Sequence, residues 1–389
     1  MNDDLVSIWD ALLVFVDVVD SSVYSSMLGV ENFAREVLSF QDLFCVLGNQ
    51  YFKDKPSFEE KVRAWSEVGA RGDEGFVFVI DPEQSSIELI DKAIRFAFEL
   101  KTRIKIMHRN KKDPPPKEME IAVGIHYGEV ATINRLITTE HGQRRLIDKL
   151  LGYSINYAKR VETSSRVGRF SRVFLSKEAA DLVSYLPIAL YKHEVPLKGI
   201  KESEEVYEIR SVLLDGVPIK VSEGADIINE EAVIRYFKSE VGEEDFLRDS
   251  WLKSVTVSVL DERKDSVKGT ALEKEYAERI DQIALGKLVE DDPILLYWRA
   301  RVCENNEKYS RAISYLKKII KECPHLIRAR TQVIENCYKM MKQEKKVSTD
   351  IIFIRDTAEE LLELERYDGI LSEKERQRLV EILDETKAE

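Results

Sequence analysis

The periodicity of the sequence changes near Arg210, and this change limits the chain to folds with two unlike parts. Before that point, short β-rich runs such as Leu12 to Asp17 and Phe76 to Ile80 alternate with longer helical stretches such as Ile87 to Met107. This alternation predicts an α/β or α+β domain. From about Asn229 onward the chain is charged and helix-periodic, which predicts an all-helical second half.

These patterns predict a first domain over residues 1–212, a linker over 213–228 and a helical domain over 229–389. Between Pro293 and Pro324, small, aromatic and terminating residues fall at the spacing of a tetratricopeptide repeat of about 34 residues. These residues are Ala300, Tyr309, Ala312, Leu316 and Pro324. The next segment, Ile327 to Met341, departs from the motif. We therefore expect a helical, tetratricopeptide-like sensor or interaction domain, with a plain helical dimerisation domain as the alternative.

Composition argues against several classes of function. The chain has 59 basic and 71 acidic residues, and its net charge of -12 argues against a general nucleic-acid or anionic-membrane binder. Its four cysteines lack the CxxC spacing, which is typical of reduced thiols in a cytoplasmic protein. The longest apolar run, Ala11 to Val16, is much shorter than the roughly 20 residues that a membrane helix needs. We expect a cytoplasmic protein that grips any polyanion locally.

Two aspartates mark the ends of predicted strands. Asp17 closes an apolar strand, where a carboxylate is costly to bury unless a cation neutralises it. Asp73 lies at the polar tip of a hairpin predicted over Ala64 to Ile80. If the two strands are neighbours, the pair offers hard oxygen ligands to one or two Mg²⁺ or Mn²⁺ ions. The alternative is that Asp17 caps the following helix and Asp73 belongs only to a turn.

Two further segments carry groups that suit a nucleotide. Where the first strand gives way to a helix, the backbone N–H groups around Val19 and Ser21 and the hydroxyl of Ser22 can receive phosphate oxygens. Ordinary N-capping by the serines is the alternative. Asn156 and Arg160 are four residues apart in a predicted helix, so they project from the same face.

Five local patterns then follow one another along the N-terminal half. They are Val14 to Ser22, Gly72-Asp73, Val123 to Val130, Leu151 to Glu162 and Val195 to Gly199. In this order they resemble the class III nucleotidyl cyclase domain. The resemblance implies a ferredoxin-like βαββαβ core that works as a homodimer, with shared active sites at the subunit interface. It also implies two divalent cations per site, Mn²⁺ or Mg²⁺, held by Asp17, Asp73 and the carbonyl of Val18.

The same resemblance implies roles for three basic or amide side chains. Asn156 orients the ribose and Arg160 stabilises the charge that develops at phosphorus, both in the site whose metals come from the other subunit. Lys198 aligns with a lysine that meets the phosphates in the family, although Lys201 is close by. The family often has an arginine two residues before Gly124, where this chain has alanine, so one phosphate-facing cation is missing or comes from elsewhere. The histidine that follows in this strand is expected to be structural.

The residues expected to recognise the base depart from the family's common patterns. Adenine-specific members have a lysine where this chain has Gly69, and an Asp or Thr where it has Lys149; the guanine pattern is absent as well. Loss of both adenine readers should abolish that preference, because a polar pocket rejects a base that leaves its groups unpaired. Gly69 removes bulk at one wall, and Lys149 supplies donors for a carbonyl oxygen such as uracil O4 or cytosine O2. These two departures predict a pyrimidine substrate.

A narrower resemblance supports this choice. The start Val16 to Ser22, the segment Asn49 to Phe52 and a C-terminal sensor domain resemble the pyrimidine cyclases of the Pycsar antiphage defence system. This resemblance implies that the product is cyclic UMP or cyclic CMP and acts on a separate effector. It favours UTP as the substrate, because uridylate cyclases are the commoner kind. Tyr51 is a candidate for stacking on the base or bonding to it, against a place in the core. Competing hypotheses are an adenylate cyclase with degenerate base readers, a catalytically silent nucleotide-binding scaffold, and a dimeriser for an active helical half.

Overall fold

The computed structural model describes residues 6–52, 64–109, 118–139, 142–183, 186–196, 203–213, 250–286, 292–324, 326–344, 348–368 and 371–387. The described residues up to Val183 form one compact unit together with Leu190–Ile209. Those from Ser250 onward form a second unit together with 186–189 and 210–213. The predicted linker lies outside the described residues except for Leu213, and the predicted domain bounds stay a prediction.

The described strands join in one eight-stranded sheet. They are β1 (Val6–Val18), β2 (Trp65–Arg71), β3 (Glu74–Ile80), β4 (Ile121–Thr139), β5 (Gly142–Leu151), β6 (Val173–Ser176), β7 (Ile188–Pro196) and β8 (Ser203–Val212). Their order is β2-β3-β1-β4-β6-β8-β7, and β5 pairs with β4 outside this path. The helices between them are α1 (Ser21–Leu28), α2 (Val30–Phe52), α3 (Ser86–Arg109), α4 (Tyr153–Ser165) and α5 (Lys177–Leu182).

The first four strands have the ferredoxin-like arrangement. Strand β1 is antiparallel to both of its neighbours, β3 and β4, and β2 forms a hairpin with β3. Helices follow β1 and β3, so the order β2-β3-β1-β4 is a split βαββαβ unit. This is the core that the sequence leads us to expect, and the other four strands extend the sheet on the side of β4.

Strand β1 is apolar along most of its length because helices cover both of its faces. One face packs against α3. On the same face of the neighbouring β3 lies α2, where a Cβ added at Gly75, the residue paired with Val16, would lie 2.7 Å from the ring of Phe44. The other face packs against α4, where Phe15 shares an apolar cluster with Ala158. Since side chains alternate along a strand, Asp17 lies on the same face as Phe15, next to α4.

The second unit is helical over Ser250 and beyond in its described residues, as predicted. Its helices are α6 (Ser250–Ser266), α7 (Ala271–Leu285), α8 (Pro293–Asn305), α9 (Tyr309–Glu322), α10 (Ile327–Glu344), α11 (Ser348–Asp368) and α12 (Glu373–Lys387). Ala300, Ala312 and Leu316, which the repeat motif singles out, are fully buried. A tetratricopeptide architecture stays a prediction. No helix in the described parts of the chain combines the length and the apolar character needed to cross a membrane.

Candidate active site

The two predicted metal aspartates come together at one end of β1. Asp17 is the penultimate residue of that strand, and its neighbour Val18 donates its N–H to the carbonyl oxygen of Asp73 at 3.2 Å. Asp73 belongs to a two-residue hairpin turn between β2 and β3, in which Gly72 has a φ of 62°. A glycine suits this turn because the left-handed region carries little strain without a Cβ. The predicted hairpin and the predicted proximity of the two carboxyl groups are therefore both present.

Asp17 is buried and electrostatically strained. It is 7% exposed, and its Oδ1 has no hydrogen-bond partner among the described residues. Burial, and then the nearby carboxylates Glu162 and Asp73, raise the pKa of Asp17 to about 6, against the opposing effect of Lys159 and Arg166. A buried carboxylate with an open oxygen is expected to take a hydrogen-bond donor or a cation as a partner.

Helix α4 brings two cations to this carboxylate. Arg166, the C-cap residue of α4, donates directly to Oδ2 of Asp17 and lies 3.4 Å from Glu162. The ammonium of Lys159 lies 2.7 Å from Glu74, 2.9 Å from Glu162 and 3.7 Å from Asp17. Burial opposes the charge of Lys159, but its ion pairs with Glu74 and Glu162 outweigh burial and raise its pKa. The site is a network of ions rather than an isolated pair of acids.

Gly124 allows α4 to lie directly on the sheet. A Cβ at this position would lie 2.2 Å from the backbone nitrogen of Glu162 and 2.6 Å from its Cα. Gly124 pairs with Phe15 in β1, two residues before Asp17. The missing side chain is therefore what lets the charged face of α4 approach the end of β1.

The turn after β1 differs in part from the expected phosphate loop. The N–H of Val19 donates to the carbonyl of Glu120 at 2.8 Å, so it is not a free donor for a phosphate. The N-cap of α1 is Asp20, which has a φ of 54°, and neither of the two serines takes that place. N-capping by Ser21 or Ser22, the alternative that the sequence left open, is therefore wrong, and both serines remain candidates for binding phosphate.

Asn156 and Arg160 lie on α4 but not beside Asp17 of the same chain. The exposed Asn156 is ten residues before Arg166, which corresponds to about 15 Å along a helix. Within the described residues, neither the amide of Asn156 nor the guanidinium of Arg160 has a hydrogen-bond or ion-pair partner. Their role at a site shared with another copy stays a prediction.

The residues expected at the base have mixed placements. Gly69 lies on the Asp17 face of the sheet, paired with Phe76. A Cβ at Gly69 would lie 2.5 Å from the Phe76 ring, so this ring fills the space that the missing side chain leaves. Lys149 is exposed on β5 opposite Ile133, at the far end of β1 from Asp17.

Tyr51 lies near the end of α2, on the sheet face opposite to Asp17. Its hydroxyl donates to Glu99 at 2.6 Å, and its ring packs on Phe96 with centroids 5.9 Å apart. Burial, and then Glu99, raise the pKa of Tyr51. This is the environment of the core aromatic that the sequence offered as the alternative to base binding.

Two other expectations concern the later strands. Lys198 and Lys201 lie outside the described residues. His126 is buried on β4, where its Nδ1 is 2.9 Å from the hydroxyl of Ser176 and its ring meets Tyr157 edge to face. The pKa of His126 falls to about 4, mainly because burial disfavours the charged ring, while Glu178 opposes the shift. This environment fits the structural role expected for the histidine.

Sequence reasoning missed the four charged residues that surround Asp17. A signal was present, because Lys159, Glu162 and Arg166 are spaced three and four apart and so form one charged helix face. The fourth, Glu74, follows Asp73 directly and pairs with Asp17 across β1 and β3. Within the described residues, no three His, Cys, Asp or Glu side chains are grouped as a ready set of metal ligands. The expected ligand set is instead two carboxylates and a carbonyl.

No protein-family model and no curated protein matches the chain. Among solved structures, the neighbours are adenylyl and guanylyl cyclases. The adenylyl cyclase CyaB from P. aeruginosa is 16% identical, with a TM-score of 0.40, over 54% of this chain and 96% of that one. The guanylyl cyclase Cya2 is 15% identical, with a TM-score of 0.39, over 53% and 94%. The guanylate cyclase domain of RhGC from Catenaria anguillulae, in complex with GTP, is 16% identical, with a TM-score of 0.36, over 52% and 97%. These similarities assign neither a substrate nor a residue role to this chain.

Proposed function

We propose that the chain is a class III nucleotidyl cyclase that converts a ribonucleoside triphosphate to the 3',5'-cyclic monophosphate and diphosphate. The observation that carries this proposal is the open, buried oxygen of Asp17 beside Asp73, at the end of the central strand of a ferredoxin-like core. Together with the ordered motifs of the sequence, this geometry fits the active site that the resemblance implies.

The residues present fit divalent cations. Asp17 supplies a carboxylate oxygen that has no hydrogen-bond partner among the described residues, and Asp73 lies close enough to raise the pKa of Asp17. Val18, whose carbonyl is the third expected ligand, directly follows Asp17. Hard oxygen donors of this kind suit Mg²⁺ or Mn²⁺. When bound, such ions lower the pKa of the 3'-hydroxyl and neutralise the leaving diphosphate.

The chain's own residues would bind and orient the nucleotide. The 3'-hydroxyl attacks the α-phosphorus, so no side-chain nucleophile is needed. Ser21 and Ser22, at the start of α1, can donate to phosphate oxygens. Asn156 and Arg160 are free of partners within the described residues and would serve the site of a second copy, where the amide holds the ribose and the guanidinium meets the charge at phosphorus. Lys198 is proposed to contact the phosphates.

A pyrimidine triphosphate, with UTP favoured, is the proposed substrate. The usual adenine readers are replaced by Gly69 and Lys149, and the space beside Gly69 is filled by the ring of Phe76. If the base lies beside Gly69, this ring leaves less room for a purine than for a pyrimidine. A pyrimidine cyclase of this kind would make a second messenger in antiphage defence, and the product would act on a separate effector.

The test is to incubate the full chain with Mn²⁺ and each of the four ribonucleoside triphosphates in turn, and to identify the products by mass spectrometry. Cyclic UMP is expected as the main product. Cyclic AMP as the main product would eliminate the pyrimidine proposal. Nucleotide binding without any cyclic product would favour the silent scaffold. The specific observation in favour of that alternative is that Lys159 and Arg166 already provide positive charge at Asp17, where a catalytic metal would bind.

The shared site has its own test. The variants Asp73→Ala and Asn156→Ala should each be inactive alone, whereas a mixture should recover activity because one intact site forms per heterodimer. Asp91→Asn, which changes a carboxylate of α3 paired only locally with Arg95, is the matched control and should keep full activity. Absence of recovery in the mixture would contradict sites built from two copies.

A further inference from the structure

The ion pair between Arg166 and Asp17 has two unequal partners. The Asp17 side chain is 10% exposed, whereas the Arg166 side chain is 41% exposed. Arg166 occupies only Oδ2, and Oδ1 has no hydrogen-bond partner in the described part of the chain. The guanidinium therefore neutralises the carboxylate without completing its bonding.

The other charges of the network show that Arg166 is the cation most directly engaged with Asp17. Lys159 lies within hydrogen-bond distance of Glu74 and Glu162 but 3.7 Å from Asp17. Four carboxylates and two cationic side chains leave a formal excess of two negative charges. One divalent cation would balance this excess. These groups are Asp17, Asp73, Glu74, Glu162, Lys159 and Arg166.

We propose that Arg166 is the resident counter-ion of Asp17 and that it is exchanged for the divalent cation when the metal site is loaded. The proposal rests on the proposed function, because it takes Asp17 as a metal ligand. Arg166 can move at low cost: it is the C-cap residue of α4, its side chain is partly in solvent, and it keeps Glu162 as a second partner at 3.4 Å. Asp17, on a central strand, cannot move in the same way.

Exchange predicts competition between the guanidinium and the metal. Removing the positive charge of Arg166 should raise the affinity for Mn²⁺, because the ion no longer has to displace a bound cation. For a partly exposed ion pair we expect a gain of about 1.5- to fivefold. A residue that merely supported the fold would not tighten metal binding when it is removed.

The experiment measures Mn²⁺ binding to the full chain by calorimetry, without nucleotide. Arg166→Gln should bind Mn²⁺ more tightly than the unaltered chain, and Arg166→Lys, which keeps the charge, should restore the original affinity. Arg35→Gln is the matched control, because Arg35 forms an exposed pair with Glu31 on α2, on the other side of the sheet. This control should leave the affinity unchanged.

A double-mutant cycle provides a second readout that does not depend on activity. The melting temperatures of the unaltered chain, Asp17→Asn, Arg166→Gln and the double variant are compared in a chelator, where the two changes should be non-additive. The four melting temperatures are then measured again at a Mn²⁺ concentration that saturates the unaltered chain. The decisive value is the change in melting temperature that Arg166→Gln causes. There, Arg166→Gln should lower the melting temperature less than it does in the chelator.

The outcomes separate the exchange from the proposed function. If Asp17→Asn weakens Mn²⁺ binding but Arg166→Gln leaves it unchanged or weaker, the exchange is wrong and the metal site stands. If Asp17→Asn has no effect on Mn²⁺ binding, the metal assignment fails, and the proposed function and the exchange fail with it.

Discussion

Two buried carboxylates of the same sheet have opposite bonding states. Glu208 on β8 is completely buried, and its two oxygens accept the backbone N–H groups of Arg169, Phe170 and Arg172, at 2.7 to 2.9 Å, while His193 lies 3.0 Å away. Asp17 on β1 is almost as buried, but its Oδ1 has no hydrogen-bond partner in the described part of the chain.

The difference separates a carboxylate that holds a loop from one that is left for a ligand. Burial removes both carboxylates from water, which is unfavourable. At Glu208 the hydrogen bonds within the chain offset this desolvation free energy. Its loop approaches so closely that a Cβ at Gly168 would lie 2.6 Å from Oε1 of Glu208. None of the described backbone N–H groups donates to Oδ1 of Asp17. The same change of carboxylate to amide should therefore have opposite consequences at the two positions.

Asp17→Asn should have the largest effect, and on activity. An amide is a poor ligand for a hard cation, so the cyclase rate should fall about a thousandfold or more, equivalent to ~4 kcal/mol. The free energy of unfolding in a chelator should change by less than about 1 kcal/mol. Oδ1 has no partner to lose within the described residues, and the ion pair of Oδ2 is with a partly exposed arginine. Initial rates and urea unfolding check both parts, and an active variant would contradict the metal assignment.

Glu208→Gln should instead destabilise the fold, by about 3 kcal/mol. The amide would point an NH₂ group at backbone donors that now bind a carboxylate oxygen, and at least one buried N–H would lose its acceptor. Urea unfolding measures the change. Glu205→Gln, on the same strand but partly exposed beside Lys192, is the control and should change stability little. If Glu208→Gln and Glu205→Gln lowered the free energy of unfolding equally, the contrast drawn between Glu208 and Asp17 would be wrong.

Gly124→Ala tests whether close packing of α4 creates the Asp17 site. The added methyl group would meet the backbone of Glu162, so α4 has to shift, at a cost of about 2–3 kcal/mol. The shift should also lower activity, because Arg160 and Asn156 move with the helix. Thermal unfolding and initial rates measure the two effects. A stable, fully active variant would show that the approach of α4 can relax without loss.

The parts of the site that follow from local pattern could be predicted, and those that depend on tertiary packing could not. The apolar strand ending in Asp17 and the Gly-Asp turn before Glu74 are local signals. They were sufficient to predict that Asp17 and Asp73 lie close together. The contacts of Lys159 and Arg166 depend on a helix docking on β4, which no spacing within the helix specifies.

The base pocket shows the same limit. Gly69 is visible in the sequence as a missing side chain, but the occupant of that space, Phe76, is fixed by the register between β2 and β3. Tyr51 has an aromatic ring suited to a base. However, α2 packs on the sheet face opposite to Asp17, and there the hydroxyl of Tyr51 donates to Glu99. Both outcomes depend on which face of the sheet a residue reaches, and a local pattern does not specify that.

The stability of the first unit should depend on pH through His126. Its pKa is lowered from the ordinary 6.5 to about 4, so the folded chain resists protonation more than the unfolded chain. This contribution of neutral His126 to the free energy of unfolding is fully present above pH 6.5 and is lost as the pH falls towards 4, with a loss of about 2–3 kcal/mol by pH 4.5. Urea unfolding between pH 7.5 and pH 4.5, compared with His126→Gln, isolates it. An identical slope in the variant would assign the pH dependence to other groups.

Tyr51→Phe should have the smallest effect and decides between the two roles of this residue. Removing the hydroxyl deletes one bond to Glu99, which keeps Arg103 at 2.7 Å, so the free energy of unfolding should fall by about 1 kcal/mol. KM for UTP should stay unchanged, because the ring lies on the face opposite to Asp17. Tyr51→Leu, which also removes the ring, extends the test. A large rise in KM for UTP with unchanged stability in both variants would restore Tyr51 to the base site and would require α2 to reach the nucleotide of a second copy.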